Sequence, residues 1–124
     1  MIFQLLSAAM VDVVHDEVLN PGELQGSAMS KSLEGALGRV DNRLVYGMIS
    51  DVFDLAAAYA VTIAQGQCFN DANERTAYRV MQTCLELHGL DYPDKETEIG
   101  PVIIRAAKGL LDEGELAHWL RIRV

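Results

Sequence analysis

The stretch from Gln67 to Thr76, QCFNDANERT, concentrates the residues of this chain that could do chemistry. The carboxylate of Asp71 is followed by the amide of Asn73 and the guanidinium of Arg75, where the pattern predicts that a helix begins. Helix N-termini attract anions, because the first backbone N–H groups and the helix dipole both favour negative charge. An Arg in the first turn could add a two-point contact to a phosphate. The stretch therefore predicts a phosphate-binding turn.

A helix cap is a simpler interpretation of some of the same residues. Asp71 could accept from the first-turn N–H groups, and Glu74 could reach back three residues to complete a capping box. A cap alone, however, requires neither the aromatic residue Phe69 in the loop nor the polar side chains of Asn73 and Arg75. Both interpretations predict a helix that begins at about residue 73.

The segments that must position this stretch are all predicted to be helices. Apolar residues recur at helical spacing in almost every segment, and no segment alternates as a strand would. The first four predicted helices cover 7–19, with Ser7 as N-cap, 30–46, 50–65 and 73–88. The apolar stripe of the fourth helix consists of Ala77, Val80, Met81, Cys84 and Leu87. A fifth helix contains Ile99, Val102, Ile103 and Ala106, and a sixth, in 112–124, has Leu116, Trp119 and Leu120 facing inward.

The predicted architecture is one domain over residues 1–124, an all-α bundle of six to seven helices. The third helix is apolar almost all round, which is typical of a helix at the centre of a bundle. It should form an antiparallel hairpin with the fourth helix, with the QCFNDANERT stretch at the turn. Pro101 is tolerable only in the first turn of the fifth helix. Loops are predicted at 20–27, 66–72 and 90–97.

Composition excludes several classes of function. Ten basic residues against eighteen acidic ones give a net charge of -8, so direct nucleic-acid binding is not expected. An acidic surface suits a basic protein partner. The longest apolar run, LAAAYAV at 55–61, is too short to span a membrane, and the first residues do not resemble a signal peptide, so we expect a cytoplasmic protein. Cys68 and Cys84 are expected to be free thiols, and no metal site is expected.

QCFNDANERT resembles the signature of the Fic/Doc family, whose Doc branch has His-x-Phe-x-Asp/Asn-Ala/Gly-Asn-Lys-Arg followed by Thr. The resemblance continues through DVFDLAAAYAVTIA before the motif and GLLDEGELAHWLRIRV near the end, and so covers nearly the whole chain. It implies a fold of about six helices that binds the phosphates of a nucleotide. It also implies transfer of a nucleotidyl group, or of a phosphoryl group in Doc toxins, onto a protein hydroxyl. Doc toxins phosphorylate elongation factor Tu and are neutralised by a small antitoxin.

The resemblance assigns roles to individual residues of the motif. Phe69 matches the aromatic anchor that fixes the loop against the core. Asp71 matches the acidic residue associated with metal binding and handling of the nucleophile. Asn73 matches the residue that orients phosphate oxygens, and Arg75 matches the residue that contacts them. Asn70 belongs to the same predicted phosphate-binding set.

Two motif positions depart from the family. Gln67 stands where the family has His, and an amide cannot take up a proton near neutral pH. Glu74 stands where the family has Lys, and a unit-charge contact at ~4 Å is worth about 4 kcal/mol at an effective dielectric constant near 20. We therefore expect Glu74 to oppose phosphate binding. No other histidine is placed at the motif by the sequence. His88 is predicted at the far end of the following helix, and His15 and His118 lie on other segments, where exposed or hydrogen-bonded histidines are the more common case.

These departures predict a Doc-like protein with an inactive phosphotransfer site, without cofactor, that acts by binding a protein. A phage-encoded inhibitor of host defence, such as an anti-CRISPR protein that binds a host complex, is one example. The alternative is a Doc-type toxin of a toxin–antitoxin system, a kinase of elongation factor Tu in natural or mutationally inactivated form. That alternative requires ATP, Mg and an antitoxin, and it could use Asp71 as base. A remnant without a partner is disfavoured, because Phe69 and Asn73 are retained.

Overall fold

The computed structural model describes residues 2–92 and 96–124, and these residues form six helices. The helices are α1 (Ala8–Val18), α2 (Leu33–Val45), α3 (Val52–Gly66), α4 (Asn73–Leu87), α5 (Glu96–Ala107) and α6 (Glu113–Arg121). The prediction of an all-α bundle is confirmed. The predicted loop at 90–97 includes residues 93–95, which lie outside the described residues. Within the described ranges, no helix has the length and hydropathy needed to cross a membrane.

The centre of the bundle is α3, as its sequence predicts. Every residue from Leu55 to Ala64 is buried. Alanines at five of these positions let neighbouring helices approach closely, and α2, α4, α5 and α6 all pack against α3. A six-residue connection joins α3 to α4, and the two form the predicted hairpin. The turn of this hairpin is the QCFNDANERT stretch, which therefore lies at one end of the central helix pair.

Side-chain caps fix where several helices begin. Ser7 caps α1 as predicted, by accepting from the backbone N–H of Met10 at 3.2 Å. The second helix begins later than the predicted residue 30, because Ser32 supplies the cap and Ser30 has a left-handed backbone with φ 66°. The cap of α3 is Asp51, and a capping box begins α6 at Asp112.

Two predictions for α4 and α5 are wrong in detail. Leu87 is 46 % exposed, whereas Leu85 is fully buried, so the buried stripe of α4 ends on Leu85. Pro101 is the sixth residue of α5, since the helix begins at 96, and not part of its first turn. The missing N–H of Pro101 removes the helical partner of the Thr97 carbonyl. Thr97 and Pro101 are both exposed, so water can serve that carbonyl.

The last helix packs against the core through its predicted face. Leu116 and Leu120 are fully buried, and Trp119 is partly buried. The guanidinium of Arg123 lies 3.9 Å from the Trp119 ring centroid and covers its outer face. The two cysteines are free thiols, as predicted, and both are buried.

Candidate functional site

The motif loop, residues 67–72, begins and ends on left-handed backbone. Gln67 terminates α3 with φ 48°, and Ala72 precedes α4 with φ 64°. A non-glycine residue in this conformation costs about 1 kcal/mol, so contacts elsewhere must hold the loop. A Cβ at Gly66 would lie 3.2 Å from Cys68 Sγ, and the small residue therefore lets the loop fold closely onto the end of α3.

Asn73 closes the motif loop from inside. Its Oδ1 accepts from the Phe69 backbone N–H at 3.1 Å, and its Nδ2 donates to the Phe69 carbonyl at 3.0 Å. Nδ2 also donates to Gln67 Oε1 at 3.3 Å. Asn73 is only 6 % exposed and Phe69 is 3 % exposed. In this structure the amide therefore fixes the loop backbone around its aromatic anchor.

Gln67 is held by the same loop. Its Nε2 donates to the Ala64 carbonyl at 2.5 Å, and its Oε1 accepts from Asn73. The residue is exposed, but both ends of its amide are hydrogen-bonded within the loop, at the position where the motif resemblance places a proton acceptor. Its chemistry there is limited to donating and accepting hydrogen bonds.

The predicted capping box on α4 is absent. Ala72 is the N-cap residue, and no side chain caps the helix. The Asp71 carboxylate instead accepts from the Leu24 backbone N–H at 2.7 Å. Glu74 is exposed at the mouth of the helix. This beginning contrasts with the side-chain-capped starts of α1, α2, α3 and α6.

A segment that we call the strap, residues 20–28, lies along the motif loop. The Ala28 N–H donates to the Cys68 carbonyl at 2.8 Å, and the Asn70 N–H donates to the Gly26 carbonyl at 3.2 Å. These bonds form a single antiparallel bridge centred on Ser27 and Phe69. The Asn70 side chain also donates to the strap, to two carbonyls at 3.1 and 3.3 Å. The predicted phosphate-binding residue Asn70 is thus engaged with the strap.

Arg75 is engaged with the strap as well. Nη1 donates to Glu23 Oε1 at 2.7 Å and to the Val18 carbonyl at 2.7 Å, while Nη2 donates to Glu23 Oε2 at 3.2 Å. The hydrogen bonds from Arg75, followed by the bond from the Asn20 N–H, lower the pKa of Glu23 below its ordinary value. The guanidinium is in the predicted first turn of α4, with a carboxylate as its partner.

An apolar cavity of about 220 Å³ lies beside the mouth of α4. Glu74, Arg75 and Tyr78 form its α4 side, and the α5 side consists of Ile99, Gly100, Ile103 and Ile104. The first turn of α4 therefore borders both the motif loop and a cavity that could take a flat apolar group.

Comparison with known proteins agrees with this arrangement. The model of the Fic/DOC family matches residues 6–85. The chain is 34% identical over 109 residues to the protein kinase doc of Escherichia phage P1. The aligned region covers 87% of this chain and 86% of the phage protein. The chain belongs to the Fic/Doc family. The family resemblance predicted from the motif is therefore confirmed over most of the chain.

The structure brings the Fic/Doc motif residues together at one end of the α3–α4 hairpin. Phe69 is the buried anchor, and Asp71, Asn73 and Arg75 surround the start of α4. Gln67 and Glu74, the two positions where the motif resemblance predicts a departure from the family, are both exposed at the same end. Among the described residues, no group of three or more His, Cys, Asp or Glu side chains could hold a metal ion.

His15 contacts the motif loop, a position that the sequence did not reveal. The sequence predicts only an exposed or hydrogen-bonded histidine on another segment. In the structure it is 1 % exposed and stacks on Phe69, with centroids 3.9 Å apart and planes 8° apart. Its Nε2 lies 2.9 Å from the Asp71 carbonyl oxygen. No local pattern pointed to this contact, because it joins residues 56 positions apart.

Proposed function

We propose that this chain is a Doc-type phosphotransfer protein, the toxin of a toxin–antitoxin pair, that binds a nucleoside triphosphate at the N-terminus of α4. The observation that supports this function best is the absence of a side-chain cap on α4. The backbone N–H groups of Asn73 and Glu74 can then bind an anion. Asp71, Asn73 and Arg75 stand around this turn at the positions of the family motif, and the phage P1 relative is named as a protein kinase.

Phosphate would be held by the first turn of α4 and by Arg75. The guanidinium must exchange Glu23 for phosphate, which replaces one two-point contact by another of the same geometry. Glu74 opposes the phosphate, but its side chain is exposed, so solvent and salt screen its charge and the carboxylate can turn away. The base of the nucleotide would occupy the apolar cavity between α4 and α5.

Asp71 fits the magnesium ion that accompanies a nucleoside triphosphate. Its Oδ2 accepts from Leu24, and among the described residues Oδ1 has no hydrogen-bond partner. Mg²⁺ at such sites takes one or two carboxylates, with phosphate oxygens and waters completing its shell. Asp71 would thus hold the cation, which supplies charge neutralisation for the transferred group.

The transfer itself requires little covalent chemistry from the protein. The substrate hydroxyl oxygen bonds to the γ-phosphorus while the bond to the leaving diphosphate oxygen breaks. In a loose transition state the hydroxyl proton is lost late, and it can pass to the transferred phosphoryl group or to water. Gln67 cannot take this proton. We therefore expect transfer slower by about 10² to 10⁴ than with a His at this position, the usual contribution of a general base.

A second candidate function is protein binding without transfer. Two observations favour it: the amide of Gln67 at the position of the base, and the carboxylate of Glu74 at the position of the phosphate-binding Lys. In this case the partner would be an antitoxin or a host complex with a basic surface, and a phage inhibitor of host defence, such as an anti-CRISPR protein, belongs to this class. The net charge of -8 suits such a partner.

Calorimetric titration with ATP and Mg²⁺ separates the two candidates. The parent chain should bind ATP, Arg75→Gln should weaken binding severalfold, and Asp41→Asn, which changes an exposed carboxylate on α2, should have no effect. The double variant Gln67→His with Glu74→Lys should bind more tightly than the parent. If the double variant binds ATP and the parent does not, the phosphotransfer function is wrong and the protein-binding function is supported.

A further inference from the structure

His15 of α1 lies directly beneath the motif loop. The residue is 1 % exposed, its ring is parallel to Phe69 at 3.9 Å, and its Nε2 lies 2.9 Å from the Asp71 carbonyl oxygen. The Phe69 backbone is fixed by Asn73, whose Oδ1 accepts from the Phe69 N–H and whose Nδ2 donates to the Phe69 carbonyl. The loop backbone from 69 to 71 is therefore fixed between α1 and α4.

The chemistry of this contact defines the role of the imidazole. A carbonyl oxygen only accepts, so Nε2 must carry the hydrogen. The ring therefore donates from Nε2 to the loop backbone. The other nitrogen, Nδ1, is 3.8 Å from Oδ1 of the exposed Asp16. His15 is buried away from the surface where a substrate would bind, so it acts through the loop and not on the substrate.

We propose that His15 is a positioning residue for Asp71, an inference that rests on the proposed phosphotransfer function. Asp71 is held at two points: its carbonyl accepts from His15, and its Oδ2 accepts from the Leu24 N–H at 2.7 Å. Removal of the first bond frees the peptide unit after Asp71 to rotate and carries the carboxylate away from Leu24. Displacements of about 1 Å in a catalytic group can cost up to 10²-fold in rate.

The consequence is a split between binding and turnover. In the proposed function the phosphates bind the first turn of α4 and Arg75, whereas Asp71 holds the cation that neutralises the transferred group. A variant that loses the donor should therefore retain its KM for ATP and lose kcat. A general loss of packing would instead reduce the melting temperature without a specific effect at Leu24.

Two substitutions separate the donor from the ring. His15→Phe keeps a ring to stack on Phe69 and loses the donor. His15→Gln places an amide N–H near the position of Nε2 and loses the ring. His88→Gln is the matched control, because His88 lies at the opposite end of α4 and contacts Gln4 and Cys84 instead.

Hydrogen exchange at the Leu24 amide is the primary measurement, with steady-state phosphotransfer as the second. His15→Phe should speed exchange at Leu24 by about five- to tenfold, the effect expected for one net hydrogen bond. The same variant should lower kcat about tenfold at constant KM for ATP. His15→Gln should restore most of the Leu24 protection and of kcat, and His88→Gln should match the parent.

Unchanged Leu24 exchange in His15→Phe would overturn the proposal, as would an unchanged kcat. If His15→Phe does not fold, His15→Gln decides: retained Leu24 protection supports the role of the donor, and lost protection overturns it. The exchange measurement needs no nucleotide. If the parent shows no phosphotransfer, the proposed function fails, while Leu24 exchange still tests whether His15 positions Asp71.

Discussion

Glu23 and Arg75 form a two-point ion pair, with 2.7 Å between Nη1 and Oε1 and 3.2 Å between Nη2 and Oε2. The pair ties the strap to the first turn of α4. Its arginine is the motif residue that the family resemblance assigns to phosphate. In the proposed function, the strap carboxylate and a nucleotide would compete for this guanidinium.

Glu23→Gln should raise the affinity for ATP by about two- to fivefold. The neutral amide binds Arg75 less strongly than the carboxylate does, and solvent screens this ion pair, so the gain in affinity is small. Calorimetric titration at about 0.1 M salt measures the change. Glu34→Gln, which removes an exposed carboxylate from α2, is the control for net charge. Equal affinities for the Glu23→Gln and Glu34→Gln variants would show that Glu23 does not compete with phosphate.

The same ion pair predicts a pH dependence of stability. Arg75 and the Asn20 N–H hold the pKa of Glu23 below its ordinary value of 4.5 in the folded protein. Between the two pKa values the unfolded chain binds more protons, so stability rises with pH in that window. The contribution is complete above pH 4.5 and is lost as the pH falls through the folded pKa. The difference in melting temperature between the parent and Glu23→Gln should therefore become smaller as the pH is lowered from about 6 to about 3. A difference that stays constant over this range would contradict the prediction.

Asn73→Ala should destabilise the fold by about 2 to 3 kcal/mol. The substitution leaves the buried N–H and C=O of Phe69 without their side-chain partners, and each unsatisfied group costs about 1 to 3 kcal/mol before the loop relaxes. Urea unfolding followed by circular dichroism gives the free energy. Asn42→Ala, at an exposed position of α2, should change it by less than about 0.5 kcal/mol. A small effect of Asn73→Ala would mean that the motif loop does not depend on the hydrogen bonds between Asn73 and Phe69.

The two thiols should be inert in the folded protein. Burial raises the pKa of Cys84 to about 12 and also raises the pKa of Cys68. At pH 8 neither forms the reactive thiolate to a useful extent. Iodoacetamide should modify both cysteines in concentrated urea and neither in native buffer, as measured by intact mass. Rapid modification of Cys84 under native conditions would indicate that α4 opens locally.

Helical periodicity was sufficient to predict the bundle, but not every boundary. The buried run of α3 and the stripe of α4 are local patterns with a helical repeat. Helix starts depend on which of several neighbouring residues becomes the cap. Ser30 and Ser32 are both plausible caps for α2, and only the fold shows that Ser32 is used. The predicted position of Pro101 in the first turn of α5 was wrong because a helix tolerates a missing N–H where the carbonyl that would accept from it is exposed to water.

The motif positions were predictable from spacing, whereas their partners were not. Asp71 and Glu74 have the spacing of a capping box, yet Asp71 binds Leu24, which is 47 positions away. His15 and Glu23 likewise reach the motif from distant parts of the chain. A local sequence pattern contains no information on such distant hydrogen-bond partners. The chemical identity of Gln67 and Glu74, in contrast, is evident from the sequence alone.

The most direct test of the proposed function is to measure phosphorylation of a protein hydroxyl. Purified parent chain should be incubated with ATP, Mg²⁺ and elongation factor Tu, the substrate that the resemblance to Doc toxins implies, and the factor analysed by mass spectrometry. We predict a slow mass increase of one phosphoryl group, which Asp71→Ala abolishes and Asp41→Asn preserves. Absence of transfer by the parent, together with transfer by Gln67→His with Glu74→Lys, would contradict the proposed function.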